Sequence, residues 1–90
     1  MPYIKKENRK KFEKTIEKIV DLSTNPENGN ISVGELNYVI SSIIWRIFQR
    51  TPSYTNGNNL MGVLECVKHE FYRRQLAIYE DVKMQENGDI

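Results

Sequence analysis

The chain has 90 residues, of which 39% are hydrophobic and 28% are charged, and its formal net charge is +1. This length predicts one domain, residues 1–90, with a small core, and the near-neutral charge gives no general attraction to nucleic acid or membranes. The one cysteine, Cys66, excludes a disulfide within the chain, and no stretch approaches the roughly 20 apolar residues of a membrane-spanning helix. We therefore predict a cytoplasmic protein that does not bind membranes.

The charges are unevenly distributed along the chain. Residues 1–14 contain six Lys or Arg and two Glu, whereas residues 79–90 contain four acids and one Lys. Opposite charges at the two ends favour head-to-tail contact between subunits, although two solvated ends are the simpler interpretation.

A first amphipathic helix is predicted from about residue 6 to residue 22. The apolar positions on one of its sides are Phe12, Ile16, Ile19 and Val20. Its other side is charged. The segment 25–30, which contains Pro26 and an Asn-Gly pair, then predicts a surface loop.

The clearest helix-start signal is Ser32, which is followed three residues later by Glu35, the spacing of a capping box. The helix that begins there is predicted to span residues 33–50. Its positions are apolar on almost every side, so we expect a nearly fully buried helix. Two flanking helices cannot cover so much apolar surface in so short a chain, which predicts a homo-oligomer with this helix at the subunit interface.

Three aromatic residues on this second helix are the candidate interface residues: Tyr38, Trp45 and Phe48. Tyr38 and Trp45 lie seven positions apart and therefore on one stripe of the helix. We assign them to packing or to the contact between subunits rather than to a ligand cage.

A third helix is predicted from about residue 59 to residue 85, after a polar loop at residues 53–59 and before Gly88. Its apolar positions form one long stripe: Leu60, Leu64, Val67, Phe71, Ile78 and Val82. Gly62, in the first turns, predicts the close approach of the second helix or of a neighbouring subunit. The predicted fold class is all-α, a three-helix single domain with a long C-terminal helix.

The segment ECVKHEFYRR, residues 65–74, combines cations with an aromatic ring on the third helix. A guanidinium group binds phosphate as a planar fork, and a tyrosine ring can stack on a base. The candidate ligand-binding residues are therefore Lys68, His69, Tyr72, Arg73 and Arg74, together with Tyr54 from the polar loop. A competing interpretation is a solvated ion network of the same side chains with Glu65, Glu70, Glu80 and Asp81.

The sequence lacks the usual patterns of catalytic and metal sites. His69 is the only imidazole and has no Ser or Cys nucleophile placed beside it, while one Cys and one His do not make a zinc site. The basic first helix carries no motif of a groove-reading protein. We predict no enzymatic activity, no cofactor, no metal and no specific binding of nucleic acid.

Four segments together resemble a family of short proteins from bacteriophages and bacteria: MPYIKKENR, GELNYVI, GVLECVKHEFYRR and YEDVKMQENGD. The resemblance implies a viral origin, with a location in the cytoplasm of the host, and it implies no settled activity. Phage proteins of this length that form helical oligomers include anti-defence proteins, which sequester nucleotide signals of host immune systems.

From these observations we expect a non-enzymatic binding protein that captures a small phosphorylated, nucleotide-derived signal at a boundary between subunits. The alternative is a structural or regulatory module that binds another protein and no small ligand. Its contact surface would be the second helix or the acidic C-terminal segment.

Overall fold

A computed structural model describes residues 4–24 and 27–90 of the chain. The described residues form helices and no named strand, which confirms the all-α fold class. They divide into two units: the N-terminal unit, residues 4–24 and 27–52, and the C-terminal helix, which begins after Ser53 and fills most of residues 53–90.

The N-terminal unit begins with a 3-10 turn at Lys6–Asn8, and helix α1 follows at Lys10–Ser23. The predicted start near residue 6 is therefore wrong by one turn. Neither the 3-10 turn nor α1 has a side-chain cap, and the lysines of this segment oppose the positive end of the helix dipole. An α-helical first turn is consequently not stabilised. Instead, Arg9 Nε donates a hydrogen bond to the Ile4 carbonyl oxygen at 2.9 Å.

The connection after α1 brings its end back to the start of the next helix. The Ser32 N–H donates to the Ser23 carbonyl oxygen at 3.1 Å, and Thr24 and Ile31 form an isolated antiparallel bridge. Gly29 has φ +70°, which fits the turn predicted for the Asn-Gly pair. Pro26, the other signal for this loop, lies outside the described residues.

Helix α2 spans Val33–Arg50, as predicted. Ser32 holds the N-cap position, but its side chain makes no capping hydrogen bond, so the predicted capping box does not form. The expectation of a nearly fully buried α2 is also wrong for the single chain, since no residue of α2 is buried. The reason is geometric, because the contacts between α1 and α2 lie at their connected ends and leave most of α2 uncovered.

The C-terminal helix is continuous over 34 residues and has three parts: α3 at Tyr54–Phe71, a π-helical turn at Tyr72–Leu76, and α4 at Ala77–Asn87. The predicted loop at residues 53–59 is therefore wrong. Ser53 Oγ accepts a hydrogen bond from the Asn56 N–H at 3.0 Å, and this cap begins the helix five residues earlier than its composition indicated.

Two glycines of this unit were assigned roles by the sequence. Gly88 has φ +88° and follows the last residue of α4, as predicted for a helix end. A Cβ atom built at Gly62 meets no atom within 4 Å, so its own helix does not require a glycine there. Contact of Gly62 with another subunit stays a prediction.

Burial shows what the helices leave uncovered. Among the described residues no hydrophobic side chain is buried, and Ser23 is the buried residue. The described helices also include none that is long and apolar enough to cross a membrane. Because none of the described hydrophobic side chains is buried, each unit presents apolar helical surface that its own residues do not cover.

Candidate binding surfaces

The basic-aromatic cluster, which we define as Lys68, His69, Tyr72, Arg73 and Arg74, lies where α3 passes into the π turn. At about 100° of rotation per residue, Lys68 lies about 40° from Leu64, at the edge of the apolar stripe, while Tyr72 and His69 lie progressively farther round the helix. Arg74 is rotated toward the apolar stripe. The structure thus brings most of the predicted ligand-binding residues together on an open helix surface.

The lysine and the two arginines of the cluster each have a carboxylate of their own helix as a neighbour. Lys68 Nζ lies 3.6 Å from Glu65 Oε1. The Glu70 carboxylate pairs with both arginines: Oε1 lies 3.0 Å from Arg73 Nη2, and Oε2 lies 3.7 Å from Arg74 Nη1. These pairs are largely exposed, so each stabilises the helix by about 1 kcal/mol or less. These pairs form the part of the competing ion network that involves Glu65 and Glu70.

The π turn changes which residues lie beside each other. In a regular α-helix the seventh residue after Tyr72, Tyr79, would lie close to the same side, about 20° away. The π turn adds one residue to the turn, so the eighth residue, Glu80, takes that place. The Tyr72 hydroxyl accordingly donates a hydrogen bond to the Glu80 carboxylate. The charge of Glu80, this hydrogen bond and the charge of Asp81 raise the pKa of Tyr72 above its ordinary value.

Tyr54 is the first residue of α3 and is 92% exposed. It lies 18 residues before Tyr72, which is five helical turns and about 27 Å along the same side of the helix. One ligand therefore cannot contact both rings within a single chain. A shared pocket for Tyr54 and Tyr72 requires two chains.

Helix α2 has two apolar faces on opposite sides. The aliphatic face consists of Leu36, Ile40, Ile43 and Ile47. The aromatic face consists of Tyr38 and Trp45, which are 66% and 68% exposed and lie roughly 180° from the aliphatic face. Phe48 lies between the two faces. The sequence identified these aromatics but not their separation from the aliphatic residues, although the helical spacing alone contains that signal.

A shallow cleft opens where α1 meets α2, at the edge of the aromatic face. It has a volume of about 380 Å³ and is lined by Leu22, Ser23, Gly34, Glu35, Tyr38 and Val39. Its lining is mostly apolar and includes no member of the basic-aromatic cluster. The cleft extends the aromatic face toward α1.

The described residues include no cluster of side chains that commonly bind metal ions. No group of three His, Cys, Asp or Glu side chains among them is placed to hold a metal ion. Cys66 is an exposed free thiol on α3. The surfaces that the structure builds are therefore two apolar faces of α2, the apolar stripe of the C-terminal helix and the basic-aromatic cluster.

Comparison with known proteins identifies the family. The family model described as "Domain of unknown function (DUF6899)" matches residues 1–90. Searches among curated proteins and among solved structures gave no match. The resemblance to a family without a settled activity is thus confirmed at that level, while a viral origin stays a prediction. The chain belongs to the DUF6899 family, whose model covers it from the first residue to the last.

Proposed function

We propose that this chain is a non-enzymatic interaction protein that works as a homo-oligomer, with α2 as the contact surface between copies. The observation that carries the proposal is the pair of opposite apolar faces on α2. The exposed residues are Ile40, Ile43 and Ile47 on the aliphatic face and Tyr38 and Trp45 on the aromatic face. A neighbouring helix covers one side of another helix. Two opposite apolar faces therefore require two neighbours, and the aromatic face is the one we assign to a second copy.

The composition of the aromatic face supports this assignment. Tyr and Trp are enriched at the centres of protein interfaces, where a few residues supply most of the binding free energy. Tyr38 and Trp45 each expose about two thirds of their surface in the single chain, and the cleft beside Tyr38 offers a concave place for a partner side chain. Burying both rings would contribute several kcal/mol to association.

The experiment is sedimentation equilibrium of the intact chain and of Tyr38→Ser/Trp45→Ser. We expect the wild type to self-associate and the double variant to dissociate at least about 30-fold more readily, because interface hot spots contribute 2 kcal/mol or more. The matched control is Tyr54→Ser, which removes an equally large exposed ring from the other unit. Identical masses for wild type and double variant, or a monomeric wild type, would contradict the proposal.

A second candidate function is capture of a small phosphorylated ligand by the basic-aromatic cluster. The specific observation in its favour is that the rare π turn falls on Tyr72, Arg73 and Arg74, since π turns within α-helices are frequent at functional sites. A nucleotide-derived signal bound between two copies would place Tyr54 of one against Tyr72 of the other. This proposal corresponds to an anti-defence protein acting in the cytoplasm of a phage's host.

The ion pairs weigh against ligand capture in the single chain, because an anion must compete with Glu65 and Glu70 for the cations. The test is thermal unfolding against a panel of nucleotides and cyclic nucleotides. A ligand at a hundredfold its dissociation constant would stabilise the protein by about 2.7 kcal/mol. Arg73→Ala/Arg74→Ala should abolish that shift and Arg46→Ala/Arg50→Ala should retain it. No shift with any ligand would remove this candidate.

A further inference from the structure

The C-terminal helix carries opposite charges on the two sides of Ala77. Residues 67–74 contain three cations and one carboxylate, whereas residues 80–87 contain three carboxylates and one Lys. With His69 neutral, the net charges are +2 and −2. The two segments have the same length and lie at the same distance from Ala77, so the helix is charge-complementary to a copy of itself that runs in the opposite direction.

Apolar side chains accompany these charges. Eight large apolar or aromatic side chains between residues 67 and 87 are 41–60% exposed: Val67, Phe71, Tyr72, Leu76, Ile78, Tyr79, Val82 and Met84. The extra residue of the π turn brings Tyr79 into line with Phe71, so the stripe of α3 continues into α4. A helix cannot bury its own stripe, and burial therefore requires a neighbour.

We propose that the C-terminal helices of two copies pair antiparallel, with the two-fold axis near Ala77. This inference rests on the proposed function, self-association, and names a second surface for it. Residues equidistant from Ala77 then lie at the same height along the pair, so the positive segment of each copy lies beside the negative segment of the other. The overlap of residues 67–87 is about 30 Å long. A parallel pair would instead place each net charge beside its like, which is unfavourable.

Charge reversal tests the pairing. The variants Arg73→Glu/Arg74→Glu and Glu80→Arg/Asp81→Arg should each self-associate about tenfold or more weakly than the wild type, because each places like charges across the two-fold axis. An equimolar mixture should recover wild-type association, since every reversed residue then meets an opposite charge on the other chain. A substitution that acts only within its own helix, such as one that places a glutamate beside Glu70, would weaken the chain equally in the mixture and cannot produce this recovery.

The outcomes separate this inference from the proposed function. A wild type that is monomeric at every concentration contradicts both. A wild type that associates, with reversed variants that associate equally well or a mixture that recovers nothing, contradicts antiparallel pairing alone. Circular dichroism of each variant establishes that its helix content matches the wild type.

Disulfide trapping tests the direction of the helices independently. In a Cys66→Ser background, Lys68→Cys and Glu86→Cys chains are oxidised separately and as a mixture. Residues 68 and 86 lie nine positions on either side of Ala77, so antiparallel pairing predicts the crosslinked dimer in the mixture. Crosslinking of either chain with itself, or no crosslinking in the mixture, would overturn the proposal.

Discussion

Helix α2 and the C-terminal helix both leave apolar surface exposed, but they differ in what surrounds it. Helix α2 has an aliphatic face and, on its opposite side, the aromatic face, with few charges along either. The stripe of the C-terminal helix instead runs through a positive segment, residues 67–74, and then a negative segment, residues 80–87. Apolar area supplies association free energy without direction, whereas charge patterns select orientation and partner. We therefore expect α2 to determine how strongly copies associate and the C-terminal helix to determine how they are oriented.

The largest expected effect is a charge placed on the aliphatic face. Ile43→Asp should lower the free energy of unfolding by about 3 kcal/mol or more, because we expect a neighbouring helix to cover this face in the oligomer, where the carboxylate would have no partner. Met61→Asp, on the polar side of α3, is the control and should change it by about 0.5 kcal/mol or less. Thermal unfolding at fixed concentration measures both. Equal effects would show that the aliphatic face stays in water.

An intermediate effect is expected when the N-cap serine of a helix is replaced, and each unit offers one such serine, Ser32 before α2 and Ser53 before α3. Ser53→Ala should destabilise the C-terminal helix by about 1 kcal/mol, because it removes the oxygen that accepts from the Asn56 N–H. Ser32→Ala at the N-cap of α2 should cost much less, since the Ser32 side chain makes no capping bond. Urea unfolding compares the two variants. A larger loss at Ser32 would mean that the capping box forms in solution.

The smallest effect concerns the π turn. Tyr72 binds its proton more tightly in the folded chain, so this contribution to stability is present below about pH 10 and is lost as the pH rises through the folded-state pKa. Glu80→Gln should lower the Tyr72 pKa toward its ordinary value. Titration of the Tyr72 ring by NMR, assigned with Tyr72→Phe, measures the change. An unchanged pKa would show that Glu80 does not lie beside Tyr72.

The N-terminal unit shows what sequence reasoning predicts well. The bounds of α2 were predicted correctly because sustained apolar periodicity, Ser32 at its start and Pro52 after its end agree. Its lack of burial was not predicted, because the sequence specifies which residues are apolar but not which of them α1 contacts. The predicted capping box does not form, because the three-residue spacing of Ser32 and Glu35 is necessary for its hydrogen bonds but not sufficient.

The C-terminal helix shows where local composition misleads. Asn and Gly at residues 56–59 are poor helix formers, yet one capping hydrogen bond and the apolar stripe beyond them outweigh those preferences. Ser53 directly after Pro52 was the available signal. No signal in the sequence predicted the π turn. In a regular α-helix Ile78 would continue the apolar stripe, and after the π turn Tyr79 continues it equally well. The spacing in the sequence places the residues of the basic-aromatic cluster on one stretch of helix, while their ion pairs depend on side-chain geometry.

Trp45 allows the most direct test of self-association through α2, because it is the one tryptophan of the chain and belongs to the aromatic face. Its fluorescence emission and its quenching by acrylamide should be recorded across a dilution series in which sedimentation gives the mass. Self-association through α2 predicts that emission shifts to the blue and that quenching falls as the mass rises. An oligomer in which Trp45 remains as accessible as in the monomer would contradict it.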